Sequence, residues 1–166
     1  MIILGIDPGS TRAGYAVISY TSSHEKPTLL DAGILFTSQS DKNKLLPELL
    51  SSCSKIIELH RPDVAGIEKL YFVKNTKTAL EVAQARGVLI CAITQNNIPL
   101  YEYTPKEIKQ GIAGYGGADK KAIIKIVQQT MDTSSCAKQP DDVFDAIAIA
   151  LMVAYTHKTR MRMKLS

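Results

Sequence analysis

Cysteine and histidine are scarce and scattered in this sequence, and that scarcity removes several kinds of chemistry. The three cysteines, Cys53, Cys91 and Cys136, form no C-x-x-C pair and no ligand spacing with His24, His60 or His157. Neither a disulfide framework nor a zinc site is indicated. The histidines are equally dispersed and offer no cluster for general-base work. Long apolar runs are missing too. The longest, Ala146 to Ala154, has nine residues, well short of the roughly 18–20 needed to span a bilayer. The opening run Met1 to Ile6 breaks at Asp7 and has no basic region before it, so it does not read as a secretory leader. The expectation is a cytoplasmic protein with no membrane partner.

What is present fits an ordinary globular domain. The 166 residues are 45% hydrophobic and 22% charged, enough chain to bury a sizeable core in one domain. Of the 20 lysines and arginines, Lys158, Arg160, Arg162 and Lys164 stand in the last nine residues without an acid, so the remaining 16 balance the 16 acids elsewhere. We therefore divide the chain into a domain over residues 1–157 and a basic C-terminal tail over 158–166. Such a tail suits nucleic acid or an anionic surface, although short charged termini are also often merely solvated.

The first 37 residues read as three strands, Ile2 to Ile6, Gly14 to Tyr20 and Thr28 to Phe36, separated by Gly, Ser and Asp. Leu45, Leu46, Leu49, Leu50, Cys53, Ile56 and Ile57 recur at helical spacing, which predicts a helix from Lys44 to His60 closed by Pro62. Val64 to Glu68 reads as a strand, Lys69 to Asn75 as a loop, Thr76 to Gln95 as a long helix, and Pro99 to Tyr103 as a fifth strand. A short helix starting at Pro105, a glycine-rich loop over Gly111 to Gly117, a helix from Ala118 to Thr130 and a final helix from Asp142 to Tyr155 complete the chain. Five strands and these helices predict an α/β fold, a mixed sheet flanked by helices.

Carboxylates concentrate at the edges of these elements. Asp7 ends the first strand and opens Asp7-Pro8-Gly9-Ser10, common turn chemistry in its own right. Glu68 ends Val64-Ala65-Gly66-Ile67 in the same way, and converges with Asp7 if both strands lie centrally in one sheet. Asp142 and Asp145 are three apart, so they share a face of the first helical turn. One acid there is explained as a helix cap, and Asp145 is left over. Four acids gathered this way repel one another unless a cation neutralises them. Oxygen ligands without His or Cys suit Mg²⁺, with Mn²⁺ as a substitute. Two such ions about 3.5–4 Å apart clamp both oxygens of a phosphodiester displacement.

The chain resembles the RuvC family of bacterial Holliday junction resolvases. The resemblance rests on Gly5-Ile6-Asp7-Pro8-Gly9-Ser10 with Gly14-Tyr15, Ile67-Glu68, Lys74-Asn75, Gln84-Ala85-Arg86-Gly87-Val88, Ile108-Lys109-Gln110, and Asp142-x-x-Asp145-Ala146-Ile147-Ala148-Ile149-Ala150. It implies a ribonuclease H-like five-stranded mixed sheet with helices on both faces. It also implies that Asp7, Glu68, Asp142 and Asp145 bind two Mg²⁺ ions and cut four-way junction DNA, with Lys109 and Lys120 on the DNA side. Further candidate DNA contacts are Tyr71, Phe72, Lys74, Lys77, Arg86 and Lys121. Tyr71 and Phe72 between lysines suit stacking on an unpaired base. A homodimer is expected because symmetric nicking calls for two sites, with the ridge Ala79, Ala83 and Gly87 as a candidate seam. A branch-migration complex of RuvA and RuvB type is the implied partner. The family pattern leaves two stretches unmatched, Tyr71-Phe72-Val73 and Met131 to Gln139.

Other readings remain. Asp7-Pro8-Gly9-Ser10-Thr11 is similar to the phosphate turn of actin-like and sugar-kinase phosphotransferases, which need a second copy that this chain lacks. A YqgF-like nuclease shares the opening but typically not the long Gln-Ala-Arg-Gly helix. An inactive nucleic-acid-binding relative would be expected to have lost some of the acids.

Overall fold

The computed structural model describes residues 1–10, 12–21, 25–35, 42–70 and 76–164, with side chains throughout except at 42, 43, 76, 77 and 158–164. Strands β1 (Ile2–Asp7), β2 (Ala13–Ser19) and β3 (Thr28–Leu35) are followed by α1 (Lys42–His60), β4 (Val64–Glu68), α2 (Thr76–Gln95) and β5 (Leu100–Tyr103). Then come α3 (Pro105–Ala113), α4 (Lys120–Thr130) and α5 (Asp141–Lys164). The sheet order is β3-β2-β1-β4-β5. The first three strands are antiparallel, and β4 runs parallel to both β1 and β5.

Strand β1 is central and buried on both faces, which is why it reads as an unbroken apolar run. Ile3 joins the core shared with α3, α4 and α5, while Leu4 and Ile6 join the core shared with α1 and α2. Helix α5 lies directly on the sheet, buried on all sides from Ala146 to Ala154, as an apolar helix without a polar stripe must be. Glycines make that close approach possible. A Cβ at Gly5 would overlap the carbonyl oxygen of Ala146, one at Gly14 that of Asp142, and one at Gly66 the Val153 side chain.

Several boundaries differ from the sequence expectation. Strand β5 starts at Leu100 because Pro99 has no N–H for a ladder, although its carbonyl still accepts from Ala65 N at 2.9 Å. The expected glycine loop is shorter. Helix α3 takes in Gly111, where a side chain would collide with Met152, and ends at Gly114, whose φ of 81° suits a left-handed cap. Helix α5 does not stop at Tyr155 but carries the backbone on through Lys164. No Gly or Pro interrupts it, and late lysines and arginines complement the helix dipole. The residues set apart above as a tail thus begin as the continuation of α5. The unmatched stretch 131–139 crosses from α4 to α5 through a 3₁₀ turn, anchored by buried Met131, Thr133 and Cys136.

Candidate active site

The sheet delivers its acids to one end. Asp7 is the last residue of β1, paired with Gly14 of β2, and Glu68 is the last of the neighbouring parallel β4. Gly14 in turn sits against the first turn of α5, which brings in Asp142 and Asp145. Carboxylate oxygens of Asp7, Asp142 and Asp145 all lie within 4.8 Å of one another. Glu68 stands beside this trio rather than inside it, and its charge acts on Asp7. It lines a cavity of about 220 Å³ together with Asp145, Lys109, Lys120 and the apolar Pro105, Ile108 and Ile123. A second hollow of about 180 Å³, bounded by Pro8, Glu68, Lys69, Leu70 and Pro105, adjoins it.

The electrostatics of this end are strained without a cation. Burial first, then the charges of Glu68, Asp145 and Asp142, push the Asp7 carboxyl up to about 8. Burial and Asp145 raise Glu68 to about 7, against the pull of Lys120 and Lys109. Asp145 is also raised by burial, opposed by Lys120. Burial acts to lower Lys120, but its hydrogen bond to Asp145 and the surrounding acids outweigh that and raise it. Its Nζ lies 2.8 Å from Asp145 and 3.7 Å from Asp141. Asp142 Oδ2 is buried and accepts no hydrogen bond; Arg12 Nε stands 2.5 Å away as an ion pair without hydrogen-bond alignment. Three converging acids and an all-oxygen donor set fit a hard divalent cation.

These shifts carry a stability consequence. Folded Asp7 keeps a proton up to about pH 8, whereas the unfolded chain releases it near the ordinary 3.8. Its stabilising contribution is complete below the lower value and is lost as pH climbs through the higher. Metal-free protein in chelator is therefore expected to melt several degrees lower at about pH 8.5 than at about pH 6, a change of about 1–2 kcal/mol. Calorimetry checks this. Asp7→Asn should remove most of the fall above about pH 7, leaving the smaller loss below it that Glu68, raised to about 7, contributes, and Mg²⁺ should restore the alkaline value; a fall from about pH 7 to about pH 8.5 that survives both would contradict it.

Lys109 and Lys120 line the cavity beside Glu68 and Asp145, and Lys121 is exposed one residue further along α4. Arg86 is turned into the protein, where it meets the Glu68 carbonyl and Glu102. Tyr71, Phe72 and Lys74 lie outside the described residues, as does the side chain of Lys77. Arg12 was not singled out from sequence. Its signal was its place in the tight β1–β2 connection, which returns the chain to the same sheet end as Asp7.

The family described as "Crossover junction endodeoxyribonuclease RuvC" matches residues 3–153. A relative of that name from Chloroflexus aurantiacus is 42% identical over 167 residues, covering 100% of both chains. Another, from Caldicellulosiruptor saccharolyticus, is 45% identical over 152 residues, covering 91% of this chain and 90% of the relative. Among solved structures, Thermus thermophilus RuvC in complex with a Holliday junction substrate superposes with a TM-score of 0.87 at 28% identity over 96% of each chain.

Proposed function

The chain belongs to the RuvC family of crossover junction endodeoxyribonucleases, and from that premise we propose that its acid cluster cuts DNA four-way junctions, acting in recombination and repair. The observation that carries this reading is the meeting of Asp7, Asp142 and Asp145 within 4.8 Å, beside a cavity walled by Lys109 and Lys120. Four retained acids argue against an inactive binding relative, and full-length RuvC matches argue against a YqgF-like nuclease.

Asp7, Glu68, Asp142 and Asp145 are the residues to hold Mg²⁺, two ions in our reading, with Mn²⁺ as a substitute. When bound, such ions polarise a phosphodiester and acidify an attacking water. The protein's own side chains do the rest. Lys109 and Lys120 set positive charge beside Glu68 and Asp145, so a phosphate in the cavity meets cations next to the acids. Lys120 is anchored by Asp145 and has N–H bonds left for a phosphate or departing sugar oxygen. Pro105, Ile108 and Ile123 complete the lining with apolar surface. Gel analysis of synthetic four-way junctions against plain duplex, with and without Mg²⁺, tests the assignment. Paired nicks in the junction alone are expected, and uncut junctions would overturn it.

A homodimer places two such sites across one junction. The support lies on α2, where Ala85, Leu89, Ala92 and Ile93 are buried while Leu80 is 67% exposed. A Cβ at Gly87 would meet nothing. Small residues at four-residue spacing on that outer side let a second helix approach. Sedimentation is expected to give twice the 18.1 kDa chain mass, and a monomer at micromolar concentration would count against the dimer.

Tyr71 is our candidate for telling junction from duplex, since it follows Glu68 by three residues in the sequence. Stacking on one interrupted base is worth about 1–3 kcal/mol, so Tyr71→Ala should slow junction cleavage about tenfold. 2-Aminopurine at the crossover should brighten with the parent protein and less with the variant. Equal behaviour of both would assign the loop a structural role. Residues 1–157 form the nuclease domain in this reading. A RuvA and RuvB type motor is the partner that family membership suggests, and the cytoplasm is the compartment. Among the described residues no helix is long and apolar enough to cross a membrane.

A further inference from the structure

We infer that Arg86 is a positioning residue that locks the metal-binding end of β4, not a DNA contact; the inference rests on the nuclease reading above. Strand β1 pairs with β4 only as far as Ile6 opposite Ile67, so the Glu68 carbonyl lies past the last paired residues. Pro8, next along on the β1 side, has no N–H with which to extend the ladder. A carbonyl in that position needs a donor from elsewhere. Arg86 reaches across from α2 and supplies it, its Nε donating to Glu68 O at 3.0 Å.

One of the two terminal nitrogens is engaged as well: Nη2 pairs with Glu102 of β5, the residue registered opposite Ile67. Beside it, Lys69 N donates to Tyr103 O at 2.7 Å. One planar fork thus ties α2, β4 and β5 together at the residue whose side chain faces the acid cluster. With 17% of its side chain exposed and its charge answered by Glu102, Arg86 has little left for a phosphate. Lysine cannot replace it, because a single ammonium lacks the spaced, coplanar donors of a guanidinium.

The test compares the parent protein with Arg86→Gln, Arg86→Lys and Glu102→Gln, each first checked for folding by circular dichroism. Mn²⁺ binding to the free protein is measured by calorimetry, junction affinity by titration in Ca²⁺ across a salt series, and cleavage by single-turnover rates in Mg²⁺. Groups that orient metal ligands typically account for 10–100-fold in affinity or activity. Arg86→Gln and Arg86→Lys should therefore each weaken Mn²⁺ binding and slow the single-turnover step about tenfold or more, Glu102→Gln by less. Junction affinity should stay within about twofold, with an unchanged salt slope. A salt slope reduced by about one, with weaker junction binding, would make Arg86 a phosphate contact. Unchanged Mn²⁺ affinity in Arg86→Gln would equally overturn the proposal. Should Arg86→Gln fail to fold, Arg86→Lys and Glu102→Gln decide on the same readouts. Failure of the parent protein to cut junctions bears on the nuclease reading instead, since the Mn²⁺ measurement needs no cleavage.

Discussion

Asp7→Asn is expected to lower junction cleavage by about a thousandfold or more while junction binding stays within about threefold. Asp7 contributes to the three-way convergence of carboxylate oxygens from the centre of the sheet, so no neighbouring side chain can take its place. Asparagine keeps the shape and removes the charge. Phosphate contacts dominate affinity for nucleic acid, and a carboxylate such as Asp7 is not a group that supplies them. Loss of folding is not the expected cause of inactivity. In the metal-free protein Asp7 is pressed by three other acids, so the neutral variant should melt at least about 2 °C higher at alkaline pH. Single-turnover cleavage in Mg²⁺, binding in Ca²⁺ and calorimetry separate the effects. Full cleavage by Asp7→Asn would remove the acid cluster from the mechanism.

Gly14→Ala is expected to damage both stability and the site, although residue 14 carries no functional group. A Cβ there would overlap the carbonyl of Asp142, which is backbone and cannot rotate aside. Either β2 retreats or the first turn of α5 lifts off, and overpacking of this kind costs about 1–3 kcal/mol. For a chain of this size that corresponds to a melting temperature about 2–12 °C lower. Lifting the turn also draws Asp142 and Asp145 away from Asp7, so Mn²⁺ affinity should fall about tenfold. Calorimetric melting and Mn²⁺ titration of the same variant check both halves. Parent-like affinity would mean that α5 tolerates displacement without disturbing the ligands.

The parts legible from sequence are those where local pattern and tertiary role agree. β1 and β4 announce themselves because burial on both faces demands an apolar run, and the acid that ends each run marks the C-terminal end of these interior strands. Helix α2 has the expected limits, Thr76 and Gln95, since no proline interrupts its spacing. The misjudged parts depend on partners far away in the chain. Gly111 looks like loop chemistry until Met152 is seen to occupy the space a side chain would need. The Arg86–Glu102 pair is likewise invisible until the register of β5 is known. Asp142 and Asp145 were readable as a pair on one helical face, but the closeness of that face to Asp7 is set by Gly5, Gly14 and Gly66. Glycine spacing in strands carries no periodic signal. The end of α5 was missed because a run of bases reads equally well as solvated tail and as helix.

Helix α5, the last element, rests on β1, the first, and its first turn completes the acid cluster. Such pairing, Gly5 against Ala146 for example, spans most of the chain, and loop-closure entropy delays contacts of that kind in folding. During synthesis the face of β1 and β2 destined for α5 must wait, uncovered, until residues beyond 154 have left the ribosome. A nascent or truncated chain therefore holds Asp7 and Glu68 but neither of their helical counterparts, and it exposes apolar surface of the kind that chaperones and proteases recognise. Nuclease activity is thereby coupled to synthesis of α5: a chain without that helix lacks two of the four acids.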